Sequence, residues 1–433
     1  MSHAVFGSMI GLLLVSTGVV KAAEWPQYRG PQGNGWTDEV IGRLSWPVDG
    51  PPLVWRVDTP CGFSSFSVAG GRAVTLVTRE RSDGSIHESC VAFDAATGEQ
   101  LWFLDFGVSD YENSGGDSGA PENRGGDGPR PTPTLDGGYV YVYDAHLLLT
   151  CIDADSGQLV WQQDVARDHG GENIKWKNAA SAVVVEGLVC VPGGGAGKAF
   201  LAFDKRSGEL VWHTGNEVMT HATPTVATIH GQQQLIFYVQ SGLVGLAPES
   251  GEELWHAPFP FRVSSAASPV VAGDLVYCSA GYGVGAGVFR ITKSNRGYDV
   301  EDVWQLTNKL MNHWSTPVMR DGYLYGIFGF KGYGRAPLQC VKIETGEVQW
   351  THEGFGPGNC IMVGEHLLVL SDDGQIVLVD VNPVTYSELS RTQAVTGKCW
   401  STPAYCDGRV YVRSTQQGAC FDLSRVDVPV AAE

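Results

Sequence analysis

Residues that could bind a ligand recur at one position of a repeated segment. Five segments contain a Ser-Pro or Thr-Pro pair, and three positions before the proline stand Arg130, His221, Trp314 and Trp400. Beside that position, in these or looser copies, are Lys177, Asn178, Ser265, His313 and Lys398. Cationic, imidazole and indole groups gathered at one place favour a flat, anionic ligand, because aromatic rings stack on indoles and anions pair with cations.

The elements that must position these residues are β-hairpins. Each of the five segments runs from the proline through a short apolar strand to a turn and an alternating strand, as in RPTPTLDGGYVYVY at residues 130–143. An apolar strand, a tight turn and an alternating strand together predict a hairpin. Looser copies at residues 64–77, 178–191 and 360–370 bring the predicted hairpins to eight.

A second repeated unit separates the hairpins and ends in tryptophan. Its pattern is Asp-x-x-Thr/Ser-Gly-x-x-x-Trp, and it is clearest at residues 93–102, 152–161 and 203–212. The glycine suits a turn position with positive φ, and the tryptophan begins an outer strand and can lie flat between adjacent sheets. Weaker or diverged copies end at Trp255, Trp304 and Trp350, and Leu389 takes the place of a further tryptophan.

Together the two units predict an all-β fold, an eight-bladed β-propeller of four-stranded antiparallel blades. A repeat of about 45–50 residues that supplies four short strands is typical of a propeller blade. The last hairpin has no outer strand of its own, whereas LVWRV at residues 53–57 is an outer strand without a hairpin. We therefore expect the N- and C-terminal strands to close one blade. Seven blades are the alternative if residues 360–389 form a degenerate unit.

In such a ring, the residues before each proline should line one mouth of the central channel. The ligand site predicted there comprises Arg130, Lys177, Asn178, His221, His313, Trp314, Lys398 and Trp400. The alternative is that the polar side chains line a water-filled channel and the indoles pack the tops of the blades. No metal site is predicted, because the acidic, Gly-rich loop at residues 110–130 does not have the spacing of an EF-hand.

Composition narrows the classes of partner. The formal net charge is −18, which disfavours nucleic acid and anionic membrane surfaces. The ten cysteines include no adjacent pair and no Cys-x-x-Cys-His, so the sequence excludes a covalent c-type haem site.

The chain ends set the predicted domain boundaries. Residues 6–20 form an apolar run followed by small residues, which is typical of a signal peptide over residues 1–23. A lead-in segment over residues 24–52, the propeller over 53–424 and a tail over 425–433 complete the division. The run is short for a membrane span, so we expect an exported protein, periplasmic or extracellular, that is monomeric and does not span the membrane.

The sequence AFDAATGEQLW at residues 92–102 resembles the tryptophan-docking motif of the PQQ-like (pyrrolo-quinoline quinone) propeller family, and WPQYRGPQGNGW at residues 25–36 resembles the lead-in of many exported members. The resemblance spans roughly residues 25 to 424. The family includes PQQ-dependent alcohol dehydrogenases and BamB-like envelope proteins. For the dehydrogenases, the resemblance implies that PQQ is held between a tryptophan and a vicinal disulfide and that Ca²⁺ is bound with it. This chain departs from that pattern because it has no adjacent cysteines.

The resemblance and the size of the chain favour a BamB-like binding or scaffold protein of the cell envelope that catalyses no reaction. Its partner would be an envelope protein or a small acidic or aromatic molecule. The alternative is a PQQ-dependent alcohol dehydrogenase similar to polyvinyl-alcohol dehydrogenase, with PQQ and Ca²⁺ at the channel mouth. A carbohydrate-binding propeller that uses the aromatic residues of the mouth is a third hypothesis.

Overall fold

A computed structural model describes residues 23–111, 126, 128–330 and 335–424. The predicted signal peptide except its last residue, the predicted tail and most of the loop at residues 110–130 lie outside these ranges. The described chain is almost entirely β-structure, and its helical part is α1 (Val165–His169), capped by Asp164 and by Gly170 at φ 68°. None of the helical structure in the described ranges has the length and apolar character that crossing a membrane requires.

The strands form eight sheets, each built on the predicted four-stranded antiparallel blade, and one of them gains a fifth, parallel strand. The lead-in and the closing strand are β1 (Trp36–Thr37) and β2 (Leu53–Asp58). Blade 1 consists of β3 (Ser67–Ala69), β4 (Arg72–Glu80), β5 (Ile86–Asp94) and β6 (Gln100–Val108). Blade 2 consists of β7 (Thr134–Asp136), β8 (Tyr139–Tyr143), β9 (Leu148–Asp153) and β10 (Leu159–Asp164). Blade 3 consists of β11 (Val183–Val185), β12 (Leu188–Pro192), β13 (Phe200–Asp204) and β14 (Leu210–Thr214). Blade 4 consists of β15 (Thr225–Ile229), β16 (Gln232–Val239), β17 (Gly242–Leu246) and β18 (Glu253–Pro258).

The second half of the ring repeats this order. Blade 5 consists of β19 (Val270–Ala272), β20 (Leu275–Ala280), β21 (Gly285–Ser294) and β22 (Gly297–Thr307). Blade 6 consists of β23 (Val318–Arg320), β24 (Tyr323–Ile327), β25 (Leu338–Lys342) and β26 (Glu347–His352). Blade 7 consists of β27 (Asn359–Val363), β28 (His366–Leu370), β29 (Gln375–Asp380) and β30 (Glu388–Gln393), to which β1 adds in parallel. Blade 8 consists of β31 (Ala404–Cys406), β32 (Arg409–Arg413), β33 (Gln417–Asp422) and β2.

Blade 8 closes the ring with both ends of the chain, as predicted. Its outer strand β2 pairs antiparallel with β33, and Trp55 lies opposite Cys420. A buried guanidinium ties this blade to blade 1: Arg413 donates to the hydroxyl of Thr75 and to the carbonyls of Leu76, Thr59 and Cys61. The side chain of Arg413 is 1% exposed, and burial lowers its pKa to about 9. The seam is therefore held by both a strand pairing and a cation satisfied by backbone oxygens.

The repeated tryptophan explains why successive blades dock. The indole of Trp102 in blade 1 donates to the carbonyl of Ala154 in blade 2 at 2.9 Å, and Trp55 donates in the same way to Ala95 at 3.0 Å. A Cβ on Gly157 would lie 2.6 Å from the ring of Trp102. The motif glycine is thus needed both for its φ of +70° and because the preceding blade's indole lies directly against it.

The lead-in segment crosses the central channel. Trp25 bridges Val68 of blade 1, and the carbonyl of Pro26 accepts from Leu135 of blade 2. Arg29, which is buried, then donates to the carbonyls of Thr316 and Pro317 at the entry to blade 6, at 2.7 and 2.8 Å. Beyond it β1 pairs with blade 7. The segment therefore spans the ring from blades 1 and 2 to blades 6 and 7.

Candidate functional site

A cavity of about 400 Å³ occupies one end of the central channel, within the size range of small-molecule sites. Two tiers of residues from the strand entries line it. The mouth tier stands three positions before the proline, or its equivalent, and comprises Phe63, Arg130, Ala179, His221, Ala266, Trp314 and Trp400. The floor tier stands one position before it and comprises Ser65, Thr132, Ser181, Thr223 and Thr402.

Five of the eight predicted site residues line this cavity: Arg130, His221, His313, Trp314 and Trp400. The other three do not. Asn178 is buried beneath the loop that precedes blade 3, where its side-chain amide donates to the carbonyls of Tyr143, Asp144 and Ala180. Lys177 precedes it at φ 59° in the same loop, outside the cavity wall. The ammonium of Lys398 lies 5.2 Å from the ring centre of Trp400 and is not part of the wall.

One side of the cavity is a continuous aromatic wall. Trp400 stacks between Phe63 and Trp314, with ring centres 4.6 and 4.4 Å apart and interplanar angles of 28° and 29°. The imidazole of His313 meets Trp314 edge-on at 5.1 Å and Phe330 at 5.0 Å. The indole nitrogen of Trp314 donates to the carbonyl of Pro357 in blade 7 at 2.7 Å. Both faces of Trp400 are engaged, and Trp314 is anchored, so this wall is pre-organised.

The other side of the cavity carries the cation. Arg130, on the entry to blade 2, donates to the carbonyls of Trp176, at 2.8 Å, and Gly126, and it lies 5.0 Å from the ring centre of Tyr111. These bonds use two of the five N–H groups of a guanidinium. Among the described lining residues it is the one permanently charged side chain, and none is a carboxylate. The charge of the wall is therefore positive although that of the chain is strongly negative.

His221 is a neutral positioning group on the same side. Its Nε2 donates to the carbonyl of Lys175 at 3.1 Å, so its Nδ1 accepts from the hydroxyl of Ser264 at 3.0 Å. Burial, and secondarily the charge of Arg130, lower its pKa to about 4. A serine bonded to a histidine has the geometry of a nucleophile and its base, but an imidazole with this pKa is a weak base near neutral pH. The pair is therefore better suited to fixing the wall than to acyl transfer.

The floor tier is joined by hydrogen bonds from blade to blade. The backbone N–H of Thr402 donates to the hydroxyl of Ser65 at 2.8 Å, and that of Ser65 donates to Thr132 at 3.1 Å. The series continues around the channel: Thr132 donates to Ser181 and Ser181 to Thr223, both at 2.9 Å. Ser268 and Thr316 make the same bond at 3.0 Å between blades 5 and 6, away from the cavity wall.

Tyr28 of the lead-in segment lies between two cavities. Its side chain lines the 400 Å³ cavity together with Thr223, and the same two residues line a small cavity of about 20 Å³ beside Gln27 and Gly33. Tyr28 therefore lies where the two cavities approach each other in the channel.

A PQQ–calcium centre does not fit the described wall. Calcium prefers six to eight oxygen ligands that include carboxylates. The described lining residues hold no carboxylate, and nowhere in the described ranges do three His, Cys, Asp or Glu side chains lie together as a metal site requires. The three carboxylates of PQQ would also meet a single guanidinium, that of Arg130.

Several wall residues were missed by sequence analysis. Phe63 belongs to the mouth tier, but its copy of the repeat has Phe66 where five of the blades have proline. Aligning the looser copy at residues 64–77 on its turn would have placed Phe63 in register. Trp176, Tyr282 and Phe330 come from the loops above the strands, and Tyr28 from the lead-in. No repeat position marks these four residues.

The comparisons with known proteins agree with this architecture. The family model described as outer membrane protein assembly factor BamB matches residues 86–352. A quinohemoprotein alcohol dehydrogenase from Comamonas testosteroni is 15% identical, with a TM-score of 0.64 over 95% of this chain and 82% of that one. The computationally designed protein Ika8 is 11% identical, with a TM-score of 0.54 over 86% of this chain and 100% of its own.

BamB from Moraxella catarrhalis is 17% identical, with a TM-score of 0.40 over 84% of this chain and 85% of that one. The likeness to the Comamonas testosteroni enzyme and to Ika8, at these identities, shows the fold alone. No protein with a curated description matches the chain in sequence.

Proposed function

This chain belongs to the PQQ-like propeller family whose model is described as outer membrane protein assembly factor BamB, and from that premise we propose that it is a binding protein that holds a flat aromatic small molecule in the cavity at the channel mouth. We further propose that it binds this molecule without catalysing a reaction on it. The stack of Phe63, Trp400 and Trp314 is the observation that carries the proposal.

The geometry of the aromatic wall supports a ring as the ligand. The ring contacts within the wall fix its orientation, so a flat ligand ring can pack against the wall at little entropic cost. The cavity volume of about 400 Å³ accommodates a molecule of two or three fused rings. An acyl-transfer role has no comparable support, because the pKa of His221 is about 4.

The place of action proposed is the cell envelope. The matching family model is named for an outer-membrane assembly factor, and residues 1–23 have the pattern of a signal peptide. We propose that residues 24–52 are the lead-in of an exported protein and residues 53–424 its propeller. An envelope protein partner, as that family name suggests, remains compatible with a ligand site at the mouth.

Titration of the mature protein with neutral naphthalene-2-methanol, followed by calorimetry, tests the proposal. We expect saturable binding with one site. Trp314→Ala or Trp400→Ala should weaken it by about ten-fold, since an aromatic pair contributes about 0.5–1.5 kcal/mol beyond its buried area. Trp46→Ala is the matched control, because that half-buried indole packs on the lead-in segment and does not line the cavity.

The same assay distinguishes the proposed binding protein from a PQQ-dependent dehydrogenase. PQQ is titrated with and without Ca²⁺, and alcohol oxidation is measured at each point. Calcium-dependent PQQ binding with alcohol oxidation would replace the proposal with the dehydrogenase. If no planar aromatic probe binds, or if Trp46→Ala weakens binding as much as Trp314→Ala, the aromatic wall is not a ligand site.

A further inference from the structure

Five hydroxyl groups of the floor tier form an arc across consecutive blades. Thr402, Ser65, Thr132, Ser181 and Thr223 belong to the entries of blades 8, 1, 2, 3 and 4 in ring order, and all five line the cavity. Four of the five hydroxyl oxygens accept the backbone N–H of the preceding blade, at 2.8 to 3.1 Å. The arc is therefore held rigidly by the frame of the propeller itself.

These bonds decide what the arc offers to a ligand. A serine or threonine hydroxyl has one hydrogen to donate and two lone pairs to accept with. In Ser65, Thr132, Ser181 and Thr223 a lone pair is already taken by an amide, while no described residue accepts the hydroxyl hydrogen. The arc therefore presents hydrogen-bond donors to the cavity, and a ligand that binds there supplies acceptors.

The charge beside the arc selects the kind of acceptor. The guanidinium of Arg130 stands on the same strand entry as Thr132, two positions away, and retains N–H groups beyond the two it gives to Trp176 and Gly126. The described lining holds no carboxylate that would repel an anion. Hydroxyl donors and one cation at the same place suit a single negatively charged group with two acceptor oxygens.

We propose that the ligand is a planar aromatic monocarboxylate: its ring packs against the aromatic wall of Phe63, Trp400 and Trp314, and its carboxylate accepts hydrogen bonds from the hydroxyl arc and Arg130. This inference rests on the proposed function and adds the class of ligand to it. One guanidinium balances one carboxylate, so a single acidic group is preferred over several.

The experiment compares naphthalene-2-carboxylate with naphthalene-2-methanol, which has the same ring and no charge. Calorimetry with the mature protein should show the carboxylate binding at least ten-fold more tightly. Thr132→Val, which keeps the shape of the side chain and removes its hydroxyl, should reduce this preference about ten-fold, as expected for one hydrogen bond to a charged group. Thr132→Ser should restore it.

Thr316→Val is the matched control. The hydroxyl of Thr316 accepts the N–H of Ser268 at 3.0 Å, as Thr132 accepts that of Ser65, but it does not line the cavity. Both variants lose an inter-blade hydrogen bond of the same kind, so a difference between them reports the donor that faces the ligand. Thermal unfolding of both variants establishes that they are folded.

The outcomes separate the inference from the function on which it rests. A carboxylate preference that falls in Thr132→Val and persists in Thr316→Val supports the inference. Equal affinity for the two probes overturns it and leaves the aromatic site in place, whereas no binding of either probe overturns both. An equal loss of preference in Thr132→Val and Thr316→Val also overturns the inference, because the effect would then come from the frame.

Discussion

The two sides of the cavity are built from one repeat position and have opposite chemistry. On blades 1, 6 and 8 the mouth-tier residue is Phe63, Trp314 or Trp400, and these rings stack on one another. On blades 2 and 4 the same position is Arg130 or His221, each of which is bonded to loop carbonyls instead. The fold thus fixes where each side chain lies, while the residue type alone decides what that side can bind.

The difference extends to how each side is held. The aromatic side is stabilised by ring contacts among its own members and acts as a unit. The polar side is held residue by residue through hydrogen bonds to the loops before blades 3 and 5, as with Arg130 to Trp176 and His221 to Ser264. We therefore expect substitutions on the aromatic side to be coupled and those on the polar side to act more independently.

The largest effect expected on the polar side is a pH dependence due to His221. Its pKa is about 4 in the folded protein and near 6.5 when unfolded, so the unfolded state binds more protons between these values. This group therefore lowers the free energy of unfolding as pH falls from 6.5 to 4, by about 3 kcal/mol in all. His221→Gln, whose amide can accept from Ser264 and donate to Lys175, should lose this dependence.

Denaturant unfolding of the wild type and His221→Gln at pH 7 and pH 4.5 measures this pH dependence of the free energy of unfolding. The variant should gain stability relative to the wild type at the lower pH. His256→Gln, on the exposed outer strand of blade 4, is the control and should follow the wild type. Parallel curves for wild type and His221→Gln would mean that the imidazole is free to take a proton in the fold.

Arg130 should produce the next largest effect, and on one class of probe only. Arg130→Ala is expected to weaken the binding of naphthalene-2-carboxylate by about 2 kcal/mol, the scale of a hydrogen bond to a charged group. The binding of naphthalene-2-methanol should be nearly unchanged. Arg320→Ala is the control, because it removes a guanidinium of blade 6 that is paired with Glu365 of blade 7. Equal losses for both probes would show that Arg130 shapes the cavity and does not recognise charge.

The smallest effect is the coupling within the aromatic side. A double-mutant cycle on the free energy of unfolding with Trp314→Ala and Trp400→Ala should give an interaction of about 1 kcal/mol, since the rings are stacked at 4.4 Å. A second cycle with Trp176→Ala and Trp400→Ala should be additive, because Trp176 lies on the polar side. Additivity in both cycles would remove the distinction between the two sides.

The repeat allowed the fold and much of the mouth tier to be predicted. A proline and a turn in five copies locate the strand entries, so Arg130, His221, Trp314 and Trp400 lie where their spacing places them. Blade 3 shows the limit: without a proline the register is less certain, and the residue facing the cavity is Ala179, not Lys177 or Asn178. In that loop the side-chain amide of Asn178 donates hydrogen bonds to backbone carbonyls instead.

The remaining wall residues depend on contacts that a repeat does not encode. Trp176, Tyr282 and Phe330 reach the cavity from loops, whose paths are set by packing against other blades. The arc of hydroxyl–amide bonds was also not predicted, although a hydroxyl before each proline is visible in the sequence. Each hydroxyl oxygen accepts an N–H from a neighbouring blade, and those two groups come close together only when the blades have assembled into the propeller.

Tyr28 belongs to a segment that precedes the propeller in the chain but is anchored to blades 6 and 7. It lines the cavity, and the segment that holds it is anchored at Thr316 and Pro317 and along β27 in blade 7. A ribosome or an export channel releases residue 28 long before these partners emerge. The cavity is therefore completed only after blades 6 and 7 have been delivered, and a chain that stops before them would have blades but no finished binding site.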